Sequence, residues 1–246
     1  ILRMTDDFCC VIAAAGLGTR SRLKYPKTLY EIDGVPILKK ILDNLTVLNK
    51  PIFLIINPTF NDLFESFMKK YNFSLKLIPQ NSPKGMGDAV LQLKNSSHSE
   101  KFKNTLLIWG DIPFIRLSTI KQMISRHKKN KNIFTFCSRT TDYAYTRVVR
   151  NKSGFVTNVI ETRESKDIKI ERGERDIGLF MFNNEIVISA LEEELDGKFS
   201  SSSREHGFLY IVNHLFKRGH LIEALNIASA DETVSLNKLS DLEGHS

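Results

Sequence analysis

Apolar runs alternate with helix-period patterns at short intervals along this 246-residue chain. That alternation is the sequence mark of βαβ units and a mostly parallel sheet. Residues 8–14 form a continuous apolar run and read as a buried first strand. After Pro36, residues Ile37, Leu38, Ile41, Leu42 and Leu45 share one face at helical spacing. Residues 52–56 read as a second strand, stopped by Asn57-Pro58, and residues 62–71 as a helix. A third strand is expected at 75–78, a helix at 86–93 and a fourth strand at 106–109. A helix over 118–128 takes Ser118 as its N-cap, and 133–137 reads as a strand.

The texture changes from about Tyr143. Residues 146–150 and 155–160 look like a hairpin around the turn sequence Asn151-Lys152-Ser153-Gly154. A strand at 177–182 and helices near 184–195 and 204–217 follow, with a serine-rich loop at 197–203 between the helices. Late strands are expected at 221–227 and 232–236. The expected fold class is α/β, Rossmann-like, with a mostly parallel mixed sheet flanked by helices. No internal repeat or long linker interrupts the chain. A single domain over 1–246 is therefore expected, in two lobes, 1–113 and 114–246.

Composition narrows the class. Hydrophobic content of 41% and charged content of 26% suit a soluble globular protein. The net charge of +7 suits a polyanionic partner. The basic residues are spread along the chain without an RNA- or DNA-binding pattern, so a small polyanion rather than nucleic acid is expected. The run His127-Lys128-Lys129-Asn130-Lys131 reads as the solvated end of a helix. Cys9, Cys10 and Cys137 have no disulfide or zinc spacing. With no signal peptide and no apolar run of transmembrane length, a cytoplasmic setting without membrane contact is expected. Because the sequence begins at Ile1, a longer polypeptide is one expectation and a homo-oligomer another.

Candidate chemistry centres on residues 9–30, CCVIAAAGLGTRSRLKYPKTLY. A strand runs into the turn Ala15-Gly16-Leu17-Gly18-Thr19-Arg20. Inward backbone N–H groups in such a turn make an anion nest. Arg20 adds a planar fork for phosphate oxygens and Lys27 a point charge. No GK[ST] closes it as a P-loop, and Ser21 replaces the last glycine of GxGxxG. Asn57 stands where a dehydrogenase would carry an acidic residue. In the segment after the third strand, Gly85 and Gly87 allow close approach, and Gln80 offers donors and acceptors to a base edge. Asp111, at the end of the fourth strand, suits Mg²⁺ beside phosphates. The plainer readings stay open: a tight turn, a polar loop residue, a helix-cap aspartate.

The composite of strand, AAGxGTR and PK resembles the signature of sugar-1-phosphate nucleotidyltransferases. Within them it is most similar to the uridyltransferase domains that make UDP-N-acetylglucosamine. The resemblance implies a nucleotide-diphospho-sugar transferase (GT-A-like) fold, with a nucleotide-binding lobe at 1–113 and a sugar-binding lobe at 114–246. It implies catalytic roles for Arg20 and Lys27, and nucleotide contacts at Ala14, Gly16, Gly18, Thr19, Gln80 and Gly85. Met86 replaces the family's usual threonine. Trp109-Gly110-Asp111-Ile112-Pro113 resembles the family's GD(V/I)P, and Asn237 in 236–242 falls at its second metal position. Asp111 and Asn237 are thus the implied ligands of a Mg²⁺ cofactor.

The sugar side conforms less. Thr146 stands for a glycine in the family's Y-G-R, and Asp176 for the asparagine of N-T-G. Glu161 matches the glutamate for sugar hydroxyls, and Arg163 stands where lysine is common. The expected function is formation of an NDP-sugar and pyrophosphate from an NTP, UTP first, and a sugar 1-phosphate. A CTP-dependent cytidylyltransferase acting on a sugar phosphate or phosphocholine is the first alternative. A non-catalytic nucleotide-sugar-binding relative is the second.

Overall fold

The first strand, β1 (Phe8–Ala13), is apolar throughout because both of its faces are covered. Cys10 and Ile12 face one core cluster, and Cys9 and Val11 face the other. This is the side-chain period of two expected of a strand in the middle of a sheet. The computed structural model describes residues 7–16, 23–82, 84–161, 171–201 and 203–236.

Around β1 lie β4 (Ile52–Ile56), β5 (Lys76–Pro79) and β6 (Asn104–Trp109), all parallel to it. Beyond them run β7 (Phe134–Thr141), β10 (Gly173–Asn183) and β11 (Ile222–Asn226). The seven strands form one sheet in the order β11-β7-β10-β6-β1-β4-β5. β10 pairs antiparallel with both β6 and β7, so it alone opposes the rest. The mixed, mostly parallel sheet is the one expected. Residues on both sides of Pro113 contribute strands to it.

Helices cover both faces. On one side α1 (Ile37–Thr46), α2 (Asn61–Tyr71) and α4 (Leu117–Asn130) bury Ile41, Phe64 and Ile120. On the other, α3 (Met86–Asn95), α5 (Asn184–Glu192) and α6 (Ile211–Lys217) bury Val90, Leu191 and Val212. Among the described residues no helix is long and apolar enough to cross a membrane. Two small hairpins complete the fold. β2 (Glu31–Ile32) and β3 (Val35–Pro36) turn at Asp33 and Gly34, both at positive φ. That Asp-Gly pair is a strong hairpin signal. β8 (Thr146–Arg150) and β9 (Val156–Glu161) form the expected second hairpin.

Several expectations are corrected. The N-cap of α4 is Arg116, and Ser118 lies inside the first turn. The Arg116 N–H donates to Glu232 Oε1 at 2.9 Å, so a distant carboxylate caps the helix. Glu232 therefore belongs to a 3-10 turn over Asp231–Thr233, not to a late strand. The helix expected from 204 begins only at Ile211, because Arg204 sits at φ +57° and Phe199 bridges to His206. β10 starts four residues earlier than its apolar run suggests, since Gly173 to Asp176 pair with 138–141 of β7. His127 is not solvated but 2% exposed, bonded to Thr135 Oγ1 at 2.9 Å and Asn104 Oδ1 at 3.2 Å.

Candidate functional site

The carboxyl ends of β1, β4, β5 and β6 open on one edge of the sheet, where ligands of open α/β folds sit. Ala14 follows β1 and donates its N–H to Ile55 O at 2.8 Å. Gly16 is exposed, and a Cβ built on it meets nothing within 4 Å. Its smallness is not demanded by packing among the described residues. Gly18, Thr19, Arg20 and Ser21 lie outside the described residues.

Lys27 opens a 3-10 turn over Lys27–Leu29 and brings Nζ to 3.7 Å from Asp111 Oδ2. The two side chains are 19% and 24% exposed. They are desolvated enough to interact, yet reachable. Asp111 is aimed by its neighbours: the Gly110 N–H bonds Ala13 O at 2.9 Å, and a Cβ at Gly110 would lie 2.8 Å from that same oxygen. Only glycine lets the chain turn away so close to β1. The Leu236 N–H donates to the Asp111 carbonyl at 2.9 Å, and Leu236 is fully buried. The late segment therefore reaches Asp111 from the far end of the chain. Asn237, the next residue, lies outside the described residues. Among the described residues no group of three or more His, Cys, Asp or Glu could hold a metal.

Gln80 continues from β5 and is 4% exposed. Its Nε2 donates to Gly85 O at 3.1 Å and to Asp88 Oδ2 at 2.8 Å. Gly85 has φ +104°. A Cβ there would fall 2.4 Å from His206 O, and one on Gly87 would fall 2.1 Å from Gly207 O. The close approach allowed by these glycines is thus to the backbone of residues 206–207. Two hydrogen bonds seal it: His206 N to Lys84 O at 2.6 Å, and Gly87 N to His206 O at 3.0 Å. Phe208 holds this strap down among Phe134, Phe180 and Phe182. His206 Nε2 meets Tyr210 Oη at 3.2 Å. Burial, followed by the nearby Lys198, lowers the His206 pKa, and burial raises that of the Tyr210 phenol.

The three sugar-side candidates also meet. Thr146 faces Glu161 in the β8–β9 register. Its hydroxyl donates to Asp176 Oδ1 at 2.5 Å, and Gly178 N–H donates to Asp176 Oδ2 at 3.0 Å. Asp176 is 2% exposed. An asparagine would keep an acceptor oxygen for only one of these two donors, and a glycine at 146 could not supply the hydroxyl. The two departures from the family pattern are therefore one bonded unit. Gly178, at φ +79° in a bulge of β10, sits under Trp109; a Cβ there would be 2.9 Å from Trp109 Cε3. This contact ties the sugar-side group to the segment ending in Asp111. The Trp109 indole N–H is buried with no acceptor among the described residues. Arg163 lies outside them.

Sequence reasoning missed Asp88, Trp109 and the strap at 206–207. Asp88 carries no signal beyond being an acidic residue in a helix's first turn. Trp109 reads as one more apolar strand residue. The strap shows only once the chain has folded over Gly87.

A lysine–aspartate pair thus stands at the carboxyl edge of a mostly parallel sheet, with the Gln80 loop on the same edge. The chain matches the MobA-like NTP transferase domain over residues 10–177 and belongs to that family. It is similar to the bifunctional protein GlmU of Thermodesulfovibrio yellowstonii, 29% identical over 235 residues, covering 94% of this chain and 50% of the relative. It is also similar to the bifunctional protein GlmU of Streptococcus mutans, 26% identical over 232 residues, covering 92% and 48% of the two chains. The chain spans about half the length of these curated relatives.

Proposed function

We propose that this chain is a Mg²⁺-dependent nucleotidyltransferase that makes an NDP-sugar and pyrophosphate from UTP and a sugar 1-phosphate. The observation that carries the reading is the Lys27–Asp111 pair at 3.7 Å, just beyond the carboxyl end of β6. Membership of the NTP transferase family supports it. A phosphate oxygen of the sugar 1-phosphate attacks the α-phosphorus, and a new P–O bond forms. The bond from the α-phosphorus to the bridging oxygen breaks, and pyrophosphate leaves with the electron pair. No covalent protein intermediate is required.

The protein's part is positioning and charge neutralisation. Lys27 sits on the α-phosphate side, and Arg20 meets the β- and γ-phosphates. Ala14, Gly16, Gly18 and Thr19 line the triphosphate with backbone. Gln80 and Gly85 read the base. Thr146, Glu161 and Asp176 shape the sugar pocket, with each Asp176 oxygen keeping lone pairs beyond its internal bond. Asp111 and Asn237 offer hard oxygen donors, which fit Mg²⁺, an ion that takes few protein ligands beside phosphate oxygens. When bound, that ion neutralises phosphate charge. The three cysteines are free and buried, in keeping with a reducing compartment.

The test is pyrophosphate release, scanning the common NTPs against a panel of sugar 1-phosphates and phosphocholine. Release with UTP and one sugar 1-phosphate is expected. Release only with CTP would move the reading to a cytidylyltransferase. Nucleotide binding without release across the panel would move it to a non-catalytic relative.

A further inference from the structure

Gln80 has two amide hydrogens, and both are taken. Nε2 donates to the Gly85 carbonyl at 3.1 Å and to Asp88 Oδ2 at 2.8 Å. Neither partner can donate, since one is a backbone carbonyl and the other a carboxylate. The orientation of the amide follows from that chemistry: turning the ring of partners around would set oxygen against oxygen twice. Oε1 carries no partner among the described residues. Asp88 is itself held, because Gln92 Nε2 donates to Asp88 O at 3.1 Å and to Oδ2 at 3.4 Å. It stands in the first turn of α3, where the helix dipole favours a carboxylate.

We propose that Asp88 is a positioning residue for base recognition, locking the Gln80 amide so that the site presents an acceptor and no amide donor. The proposal rests on the nucleotidyltransferase reading. With UTP bound, the acceptor meets the N3–H of uracil rather than its carbonyl oxygens. With CTP, the only donor at the pairing edge is the exocyclic amine. In either case the recognised feature is a pyrimidine N–H. Asp88→Asn weakens the lock, because an asparagine can offer its own N–H to Gln80 Oε1, and a turned amide then sets oxygen against oxygen only once, at the Gly85 carbonyl.

The experiment measures UTP and 3-methyl-UTP binding and turnover in the wild type, Asp88→Asn, Gln80→Ala and the double variant. The wild type is expected to bind 3-methyl-UTP at least about tenfold more weakly than UTP, the scale of one lost hydrogen bond. Asp88→Asn raises KM for UTP about tenfold at unchanged kcat, and narrows the gap between the two nucleotides. In the Gln80→Ala background the same substitution has no further effect, as coupling through Gln80 demands. An Asp88→Asn effect that persists undiminished without Gln80 overturns the proposal. So does a wild type that takes 3-methyl-UTP as readily as UTP, a result that needs no variant to fold. A wild type that prefers CTP moves the comparison to CTP and its N4,N4-dimethyl analogue, with the same expected ratios. A wild type that binds no NTP overturns the function itself, and is thereby distinct from failure of the Asp88 assignment.

Discussion

Two aspartates near the ligand edge of the sheet have opposite surroundings. Asp111 follows β6, is 24% exposed at its side chain and faces Lys27 across 3.7 Å. Asp176 lies on the neighbouring strand β10, is 2% exposed and has a hydrogen bond on each carboxylate oxygen. The first is a charge held ready at a loose distance. The second is a charge completed by its own fold. Desolvating a carboxylate is tolerated only when donors replace water, and Thr146 and Gly178 supply them. Reachable charge is what phosphate chemistry uses. Internally satisfied charge is what gives a pocket its shape.

The comparison breaks most visibly in rate. Lys27→Ala is expected to slow pyrophosphate release by roughly 10²–10³, about 3–4 kcal/mol of transition-state stabilisation, while the thermal midpoint stays near that of the wild type. Arg20→Ala is expected to behave the same way. Steady-state kinetics beside a thermal melt checks both, and wild-type turnover would remove the role.

On the other aspartate the larger effect is on stability. Thr146→Gly strips one donor from a buried carboxylate and should cost about 1–3 kcal/mol. In a chain of this size that is a fall of roughly 2–4 °C in melting temperature per kcal/mol. Asp176→Asn in the same background should recover part of the loss, because the neutral amide needs less. Strict additivity of the two substitutions would show that they are not a unit.

The smallest effect separates both sites from the opposite end of the sheet. Burial pushes the His127 pKa down to about 4 from an ordinary value of 6.5. Asp7 acts against that shift, while Lys128 and Lys103 add to it. The unfolded chain then binds more protons than the folded one between those values. Stability is complete above pH 6.5 and falls as the pH drops toward 4, by less than about 1 kcal/mol between pH 7 and 6. Urea melts across that range should show the slope in the wild type and lose it in His127→Gln. A slope of the opposite sign would mean that the imidazole is charged in the folded state.

Much of the fold was legible in the chain. The apolar run of β1, the single buried face of α1 and the order of strands and helices follow from side-chain period alone, because burial on two faces or one leaves a direct trace. So does the placing of Asp111 after a strand, since Gly110-Asp111-Ile112-Pro113 cannot continue one. Residues 17–22 and 237 lie outside the described residues, so the roles of Arg20 and Asn237 stand on their sequence pattern.

What the amino-acid sequence determined by itself was local: element type, element order and the residues that carry charge near strand ends. Tertiary structure alone decided which of those charges stay available. Gly87 is small for the sake of Gly207, Arg116 is capped by Glu232, and Asp176 is satisfied by Thr146. Each pairing joins segments far apart along the chain. Period and propensity act within a few residues, whereas burial and hydrogen-bond satisfaction are settled by whatever neighbour the folded chain brings alongside.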